Sequence, residues 1–151
     1  MNLVGIDTLH HFSDIDRFLE ESKRVLCSGG RLVMVEPWNN RWARFIYKRI
    51  HPEPFDELAG WTVSGKGPMS RANVALPWIV FERDRALFER RFPQLRILCI
   101  KYVMPFAFLL SGGSSSRLGM PGKAYRPVRR FEHWFESRGV GMSALIVVEK
   151  R

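Results

Sequence analysis

The chain has 151 residues, of which 46% are hydrophobic and 26% charged, the balance of a folded globular protein and not of a disordered one. The length suits a single domain with a buried core, and the two cysteines, Cys27 and Cys99, are too few and too far apart for a disulfide framework or a structural zinc site. A formal charge of +9 leans towards an acidic partner, but the arginines are scattered and no recognition motif accompanies them, so nucleic acid is not expected.

Leu3, Val4 and Ile6 form a short apolar run, and Leu32, Val33, Met34 and Val35 form a second. Each is free of charge, as expected of parallel strands buried on both faces. The stretch between them predicts a helix. Ser13 is its expected N-cap, Asp16 completes a capping-box-like pair and Asp14 adds negative charge at the positive end. Ile15, Phe18, Leu19, Val25 and Leu26 fall on one helical face, and Gly29 and Gly30 permit the left-handed turn that ends the helix. Residues 3–36 therefore read as one βαβ unit.

Past Glu36, Pro37 and Trp38, either Asn39 or Asn40 can cap a short helix reaching about Ile50. Trp42, Phe45, Ile46 and Ile50 lie on one side of it, while Arg41, Arg44, Lys48 and Arg49 dominate the rest. Such a basic amphipathic helix can pack on its own domain or lie on an anionic membrane. From His51 to Pro77, four prolines and three glycines break any long helix or strand. Its aromatics, Phe55 and Trp61, with Trp78 just after it, make this irregular insertion a candidate lid over a binding pocket or a structural cover over the sheet.

Asp84 can cap a short helix from Arg85 to Phe92, ended by Pro93, before Leu95 to Ile100 resumes as a strand. Tyr102 to Leu110 extends that strand or forms an apolar wall, and Ser111 to Ser116 forms a flexible loop. The pair Gly122-Lys123 is not a phosphate-binding loop, because Arg117 and Ala124 stand where the motif needs glycine and a hydroxyl residue. A further helix around Pro127 puts Val128, Phe131, Trp134 and Phe135 on one face, with Arg129, Arg130, Glu132 and Glu136 off it. Met142 to Val148 is the last buried strand. No secretory leader is visible, and the longest apolar run is shorter than the roughly 20 residues that span a bilayer. With two cysteines read as core residues of a reducing compartment, the chain is expected to be cytoplasmic.

Asp7, Leu9, His10 and His11 after the first strand, Leu19, Arg24, Val25 and Leu26 in the helix, Ser28 to Leu32 at the turn, and Glu36-Pro37 closing the second strand together resemble the middle of a class I S-adenosylmethionine-dependent methyltransferase. Where that family usually has Lys-Pro-Gly-Gly, this chain has Cys27-Ser28-Gly29-Gly30. The resemblance implies an α/β, Rossmann-like methyltransferase sheet in which the present strands are numbers 4-5-7-6 with flanking helices. Residues 1–151 would form a single partial domain with the N-terminal half absent, since no Gly-x-Gly-x-Gly turn and no ribose-binding acid precede Leu3.

The resemblance also implies S-adenosylmethionine as cofactor, with Asp7, Leu9 and His10 near its methionine part. His10 or His11 would be a general base, because an imidazole titrates near neutrality. Trp38, Asn40 and Trp61 would shape the pocket of a small-molecule, lipid-linked or sugar-linked acceptor. A metal on the histidine pair would need further ligands that no obvious spacing supplies. The alternatives are a non-catalytic methyltransferase-like interaction module, and a peripheral membrane-binding domain using the basic helix. Without strands on its outer side, Leu3 to Ile6 would be an unpaired edge prone to self-association or to capture by a partner. The expected strand order is Leu3–Ile6, Leu32–Val35, Met142–Val148, Leu95–Ile100, with Met142–Val148 alone antiparallel.

Overall fold

The computed structural model describes residues 1–63, 72–110 and 121–151. Strands β1 (Asn2–Ile6), β2 (Arg31–Pro37), β3 (Leu95–Val103) and β4 (Ser143–Lys150) form one sheet in the order β1-β2-β4-β3. β1 and β2 run parallel, and β4 is antiparallel to both of its neighbours. The expected order and directions therefore hold. Each strand boundary lies within a few residues of its expected position, and β3 runs on past Ile100 to Val103.

Helix α1 (Ile15–Val25) crosses from β1 to β2 and buries Ile15, Leu19 and Ser22. Its cap is Asp14 and not Ser13: the Asp14 carboxylate accepts from the Arg17 N–H at 2.9 Å. A carboxylate at that position satisfies a free first-turn N–H and also opposes the helix dipole. Asp16, expected to complete a box with Ser13, instead accepts from the Arg91 guanidinium at 2.8 Å.

Helix α2 (Arg41–Arg49) is capped by Asn40, which accepts from the Ala43 N–H at 2.9 Å. It turns Ala43, Ile46 and Tyr47 inward and leaves Phe45 and Ile50 exposed, so the expected apolar stripe is rotated by about one position. A short helix α3 (Leu76–Trp78) continues as a wide π-type turn over Ile79–Arg83 and then as α4 (Arg85–Arg91). The irregular stretch thus ends before Pro77, which sits in the first turn where its missing N–H costs nothing. Asp84 makes no side-chain cap on α4; its carboxylate accepts from the Trp61 indole and the Arg83 guanidinium.

The main core lies on one face of the sheet, where Leu32, Met34, Ile146 and Val148 meet Leu9, Leu19, Ile79, Phe81 and Phe88. The other face is different. Val4 and Ile6 are 74% and 62% exposed, so β1 is not buried on both faces as its composition led us to expect; among the described residues no helix covers them.

Helix α5 (Ala107–Leu110) follows β3, and α6 (Gly122–Glu136) carries Pro127 inside it. The expected face of α6 holds only in part, with Val128 and Phe135 half-buried. Glu132 is its buried residue, while Phe131 and Trp134 are 59% and 52% exposed. Glu132 is buried because its carboxylate accepts from the backbone N–H groups of Phe106 and Ala107, and from Arg129. The serine-glycine loop at 111–116, and the part of the 51–77 insertion from 64 to 71, lie outside the described residues. Among the described residues no helix is long and apolar enough to cross a membrane.

Candidate functional site

β1 and β2 end side by side, because their parallel register pairs Ile6 with Val35. Beyond them the backbone turns at Asp7, whose φ of 49° is left-handed, with its N–H still held by the Val35 carbonyl at 2.9 Å. That turn aims the next two backbone N–H groups at the end of β2. Both Thr8 and Leu9 donate to Glu36 Oε1 at 2.9 Å, and the Thr8 hydroxyl lies 3.3 Å from the same oxygen. Glu36 is fully buried, and a buried carboxylate requires this kind of saturation by donors.

Its second oxygen, Oε2, lies 3.0 Å from His10 Nδ1. A hydrogen on Nδ1 donated to that oxygen leaves the lone pair of the ring at Nε2. Glu53, from the insertion after α2, faces the two histidines. Its Oε2 is 3.5 Å from His10 Nε2 and its Oε1 is 3.9 Å from His11 Nε2.

The insertion is brought there by backbone ties. Val74 N–H donates to the Pro54 carbonyl, Asn73 N–H donates to the His10 carbonyl, and the Asn73 side chain is hydrogen-bonded to Asp56. These contacts stitch residues 53–56 and 73–74 directly onto the histidine turn.

The result is a cleft of about 290 Å³ lined by Asp7, His10, His11, Pro37, Tyr47, His51, Glu53, Phe108 and Ser143. No lysine or arginine is among these residues. Desolvation, and then the nearby Glu36 charge, raise the Asp7 carboxyl above its ordinary range, although the residue as a whole is exposed at the cleft mouth. Burial lowers His51 against the pull of Glu53, and its Nδ1 accepts from the Glu53 N–H at 3.3 Å. The Tyr47 phenol donates to the Met142 carbonyl at 2.8 Å, and burial, then the Asp7 charge, raise it far above its usual value.

Of the residues singled out from sequence, Asp7, His10 and His11 meet in this cleft. Leu9 does not face it: its side chain is fully buried in the core, and only its backbone N–H serves the site through Glu36. Trp38 is likewise a core residue, with its N–H on the Met142 carbonyl. Asn40 is occupied by capping α2 and by donating to the Gly141 carbonyl at 2.6 Å. Trp61 packs on Phe92 and beneath the Arg91 guanidinium, against α4.

Glu36, Tyr47, His51 and Glu53 were not singled out as site residues. Glu36 closes the β2 run and could have been marked as a lone acid ending a buried strand; Glu53 lies 43 positions beyond His10, and no spacing signals it.

Residues 3–34 match a family model described as a methyltransferase domain. Among curated proteins none matches the chain. The matched segment covers β1, the histidine turn, α1 and most of β2, the part that builds one wall of the cleft. That match, and an α/β sheet in which the last strand is inserted antiparallel between the second and third, support a likeness to the class I S-adenosylmethionine-dependent methyltransferases.

Proposed function

We propose that the cleft beyond β1 and β2 is the acceptor side of an S-adenosylmethionine-dependent methyl-transfer site, taking a small-molecule, lipid-linked or sugar-linked nucleophile. The observation that carries this reading is the His10–Glu36 pair: Nδ1 is 3.0 Å from a buried carboxylate and Nε2 is turned to the cleft. Ligands of open α/β sheets collect beyond the carboxyl ends of the parallel strands, which is where this pair stands. An imidazole so held activates the acceptor, and His11 beside it offers a second ring at a centroid distance of 4.1 Å.

The residues present fit one end of the cofactor. Asp7 and Glu53 supply negative charge in a cleft with no lysine or arginine among its described lining residues, which suits a sulfonium and an ammonium group. Among the described residues the adenosine end has no such counterpart, and the sequence given contains no Gly-x-Gly-x-Gly turn. When bound, S-adenosylmethionine supplies an electrophilic methyl group that needs a positioned nucleophile more than acid–base help. The chain's own residues would orient the acceptor: Phe108 gives an apolar wall, and His10 and His11 face the nucleophilic atom. Two free cysteines, Cys27 and Cys99, are in keeping with a cytoplasmic setting.

Calorimetric titration with S-adenosylmethionine is the test. Weak binding, with a dissociation constant above the low micromolar range and lost in Asp7→Asn, is the expected result. Absence of heat at millimolar cofactor would favour a second reading, a non-catalytic methyltransferase-like module, which the outer side of β1, unpaired among the described residues, supports.

A membrane partner is also supported by one observation. Ring contacts run from Phe45 through Trp42, Phe106 and Phe135 to Trp134, with Phe131 packed on Phe106. The Arg49 guanidinium lies 4.4 Å from the Phe45 ring at one end and Arg138 lies 3.7 Å from the Trp134 ring at the other. Exposed aromatics bracketed by arginines suit the interface of an anionic bilayer.

A further inference from the structure

The cleft concentrates acid in a basic chain. Asp7, Glu36 and Glu53 converge on it, with no lysine or arginine among its described lining residues, while the whole chain carries a formal charge of +9. Glu36 is satisfied by backbone N–H groups and by His10 Nδ1. Glu53 faces two imidazole nitrogens instead, one to each oxygen, at 3.5 Å and 3.9 Å.

These separations decide between two explanations. A charge-assisted N–H···O bond closes to about 2.7–2.9 Å, and both Glu53 approaches are longer. Nitrogen and oxygen ligands about 2.0–2.1 Å from one tetrahedral ion stand about 3.3–3.4 Å apart. The donor atoms of His10, His11 and Glu53 all lie within 4.8 Å of one another, close enough to converge on an ion with small side-chain movements. Glu36 makes the arrangement more specific. A ligating histidine commonly donates its other ring N–H to a carboxylate, which fixes the tautomer and raises the basicity of the ligating nitrogen. His10 is held in that way.

We infer that His10 Nε2, His11 Nε2 and a carboxylate oxygen of Glu53 form a binding site for a divalent transition-metal ion, with a coordination position open to the cleft. Two imidazoles and one carboxylate suit zinc or a neighbouring first-row ion better than magnesium or calcium, which prefer all-oxygen shells. The inference deepens the function proposed above and rests on its placing of the acceptor in this cleft, with the ion and not an imidazole base activating the acceptor once His10 and His11 are its ligands. A hydroxyl-bearing acceptor would enter the open position by displacing water. Coordination would lower its pKa, and its proton would leave to solvent, so that the oxygen stays on the ion as a bound alkoxide or phenolate. The acceptor class is then one that offers such an oxygen, in preference to a thioether or an unactivated carbon.

The test uses the full chain, stripped with chelator, dialysed, and titrated with cobalt(II), read by its visible d–d absorption, and with zinc(II), read by competition against a chromophoric chelator. One equivalent is expected to bind. Loss of an outer carboxylate partner costs about 10- to 100-fold in affinity, the fall expected for Glu36→Gln, whose amide would turn the His10 lone pair to Nδ1. His11→Ala and Glu53→Gln should lose at least as much; both side chains lie outside the core and circular dichroism should show the fold retained. His133→Ala, on α6 and outside the cleft, should leave the titration unchanged.

Failure to bind one equivalent, or binding indifferent to His11→Ala and Glu53→Gln, overturns the inference. Methyl transfer that persists in excess chelator would sink the metal site and leave the methyl-transfer reading standing. One equivalent bound through these residues, with no response to S-adenosylmethionine, would do the reverse.

Discussion

Glu36 Oε2 stands 3.0 Å from His10 Nδ1, and Glu36 Oε1 holds the N–H groups of Thr8 and Leu9 at 2.9 Å, so one buried carboxylate at the end of β2 fixes the whole turn that leaves β1. Removing it would orphan three donors at once. Breaking a buried charged network by deleting one partner costs about 3–5 kcal/mol, and that loss is expected for Glu36→Ala in urea denaturation. Glu36→Gln keeps one acceptor oxygen and should cost about 1–2 kcal/mol. Equal losses for the two variants would mean that the bonds to the backbone N–H groups contribute nothing and that the contact to His10 carries the whole cost.

The outer side of β1 predicts association. β1 pairs only with β2 among the described residues, and its side chains Val4 and Ile6 are largely exposed. An apolar strand with a free row of N–H and C=O groups is a template for another chain. Light scattering after size-exclusion chromatography should show an apparent mass that rises with concentration. Val4→Lys should lower it, because a charged side chain on an edge strand opposes pairing. A monomer at high concentration, with the Leu3 to Ile6 amides strongly protected from exchange, would show that another segment covers the edge.

Acid should destabilise the fold through two carboxylates. At Glu136, burial pushes the pKa up but is outweighed by the Met104 N–H, His133 and Arg129, so the net shift is downward. At Asp84 the Arg83 hydrogen bond dominates and the shift is also downward. A carboxylate with a folded pKa below its unfolded value of about 4 binds fewer protons when folded. The stability it contributes is fully present above about pH 4 and is lost as pH falls through the folded value. The thermal midpoint should therefore drop on the acid side of about pH 4, and Glu136→Gln should make that drop shallower. An unchanged acid limb in Glu136→Gln would show that other groups govern it.

Local patterns carried the sheet and most of the helices but not the far side of the site. Charge-free apolar runs marked β1, β2 and β4, since a strand in a packed sheet excludes charge whatever its partner, and β3 was marked by an apolar run that carries Arg96. The cap of α1 was misplaced by one residue because Ser13 and Asp14 are both good caps, and what selects Asp14 is its reach to the Arg17 N–H. The helix face of α6 was misread in part for a different reason. Glu132 looks like a solvated residue until Phe106 and Ala107, more than twenty positions earlier, present their N–H groups to it.

Within the site, Asp7, His10 and His11 were legible because they follow a strand end directly. Glu53 was not, because its position depends on Asn73 and Val74 tying the insertion back onto the histidine turn. Trp61 shows the converse. It was marked for the pocket because it is a large aromatic in a candidate lid, and it packs instead against Phe92 and Asp84, where an indole finds both an apolar partner and an acceptor.

The aromatic seam from α2 through Phe106 to α6 gives the last prediction. Phe131 and Trp134 lie exposed on α6 with Arg130 immediately before Phe131 in sequence, and Pro127 and Arg130 complete the surface they form. Burying such rings in a bilayer interface recovers apolar area at about 25 cal/mol per Å², and arginines beside anionic headgroups add roughly 1 kcal/mol each near the surface. Neither contribution alone gives stable attachment, so binding should need both. In co-sedimentation with vesicles, the chain should pellet with mixed phosphatidylcholine–phosphatidylserine but not with phosphatidylcholine alone, and should be released as salt shortens the Debye length. Phe131→Ser with Trp134→Ser should abolish pelleting at low salt while leaving the far-ultraviolet dichroism unchanged, because both side chains point away from the core. Vesicle binding that survives this double substitution would move the contact to the basic face of α2. Equal binding to neutral and anionic vesicles would remove the electrostatic half of the argument, and no binding to either would end the membrane reading.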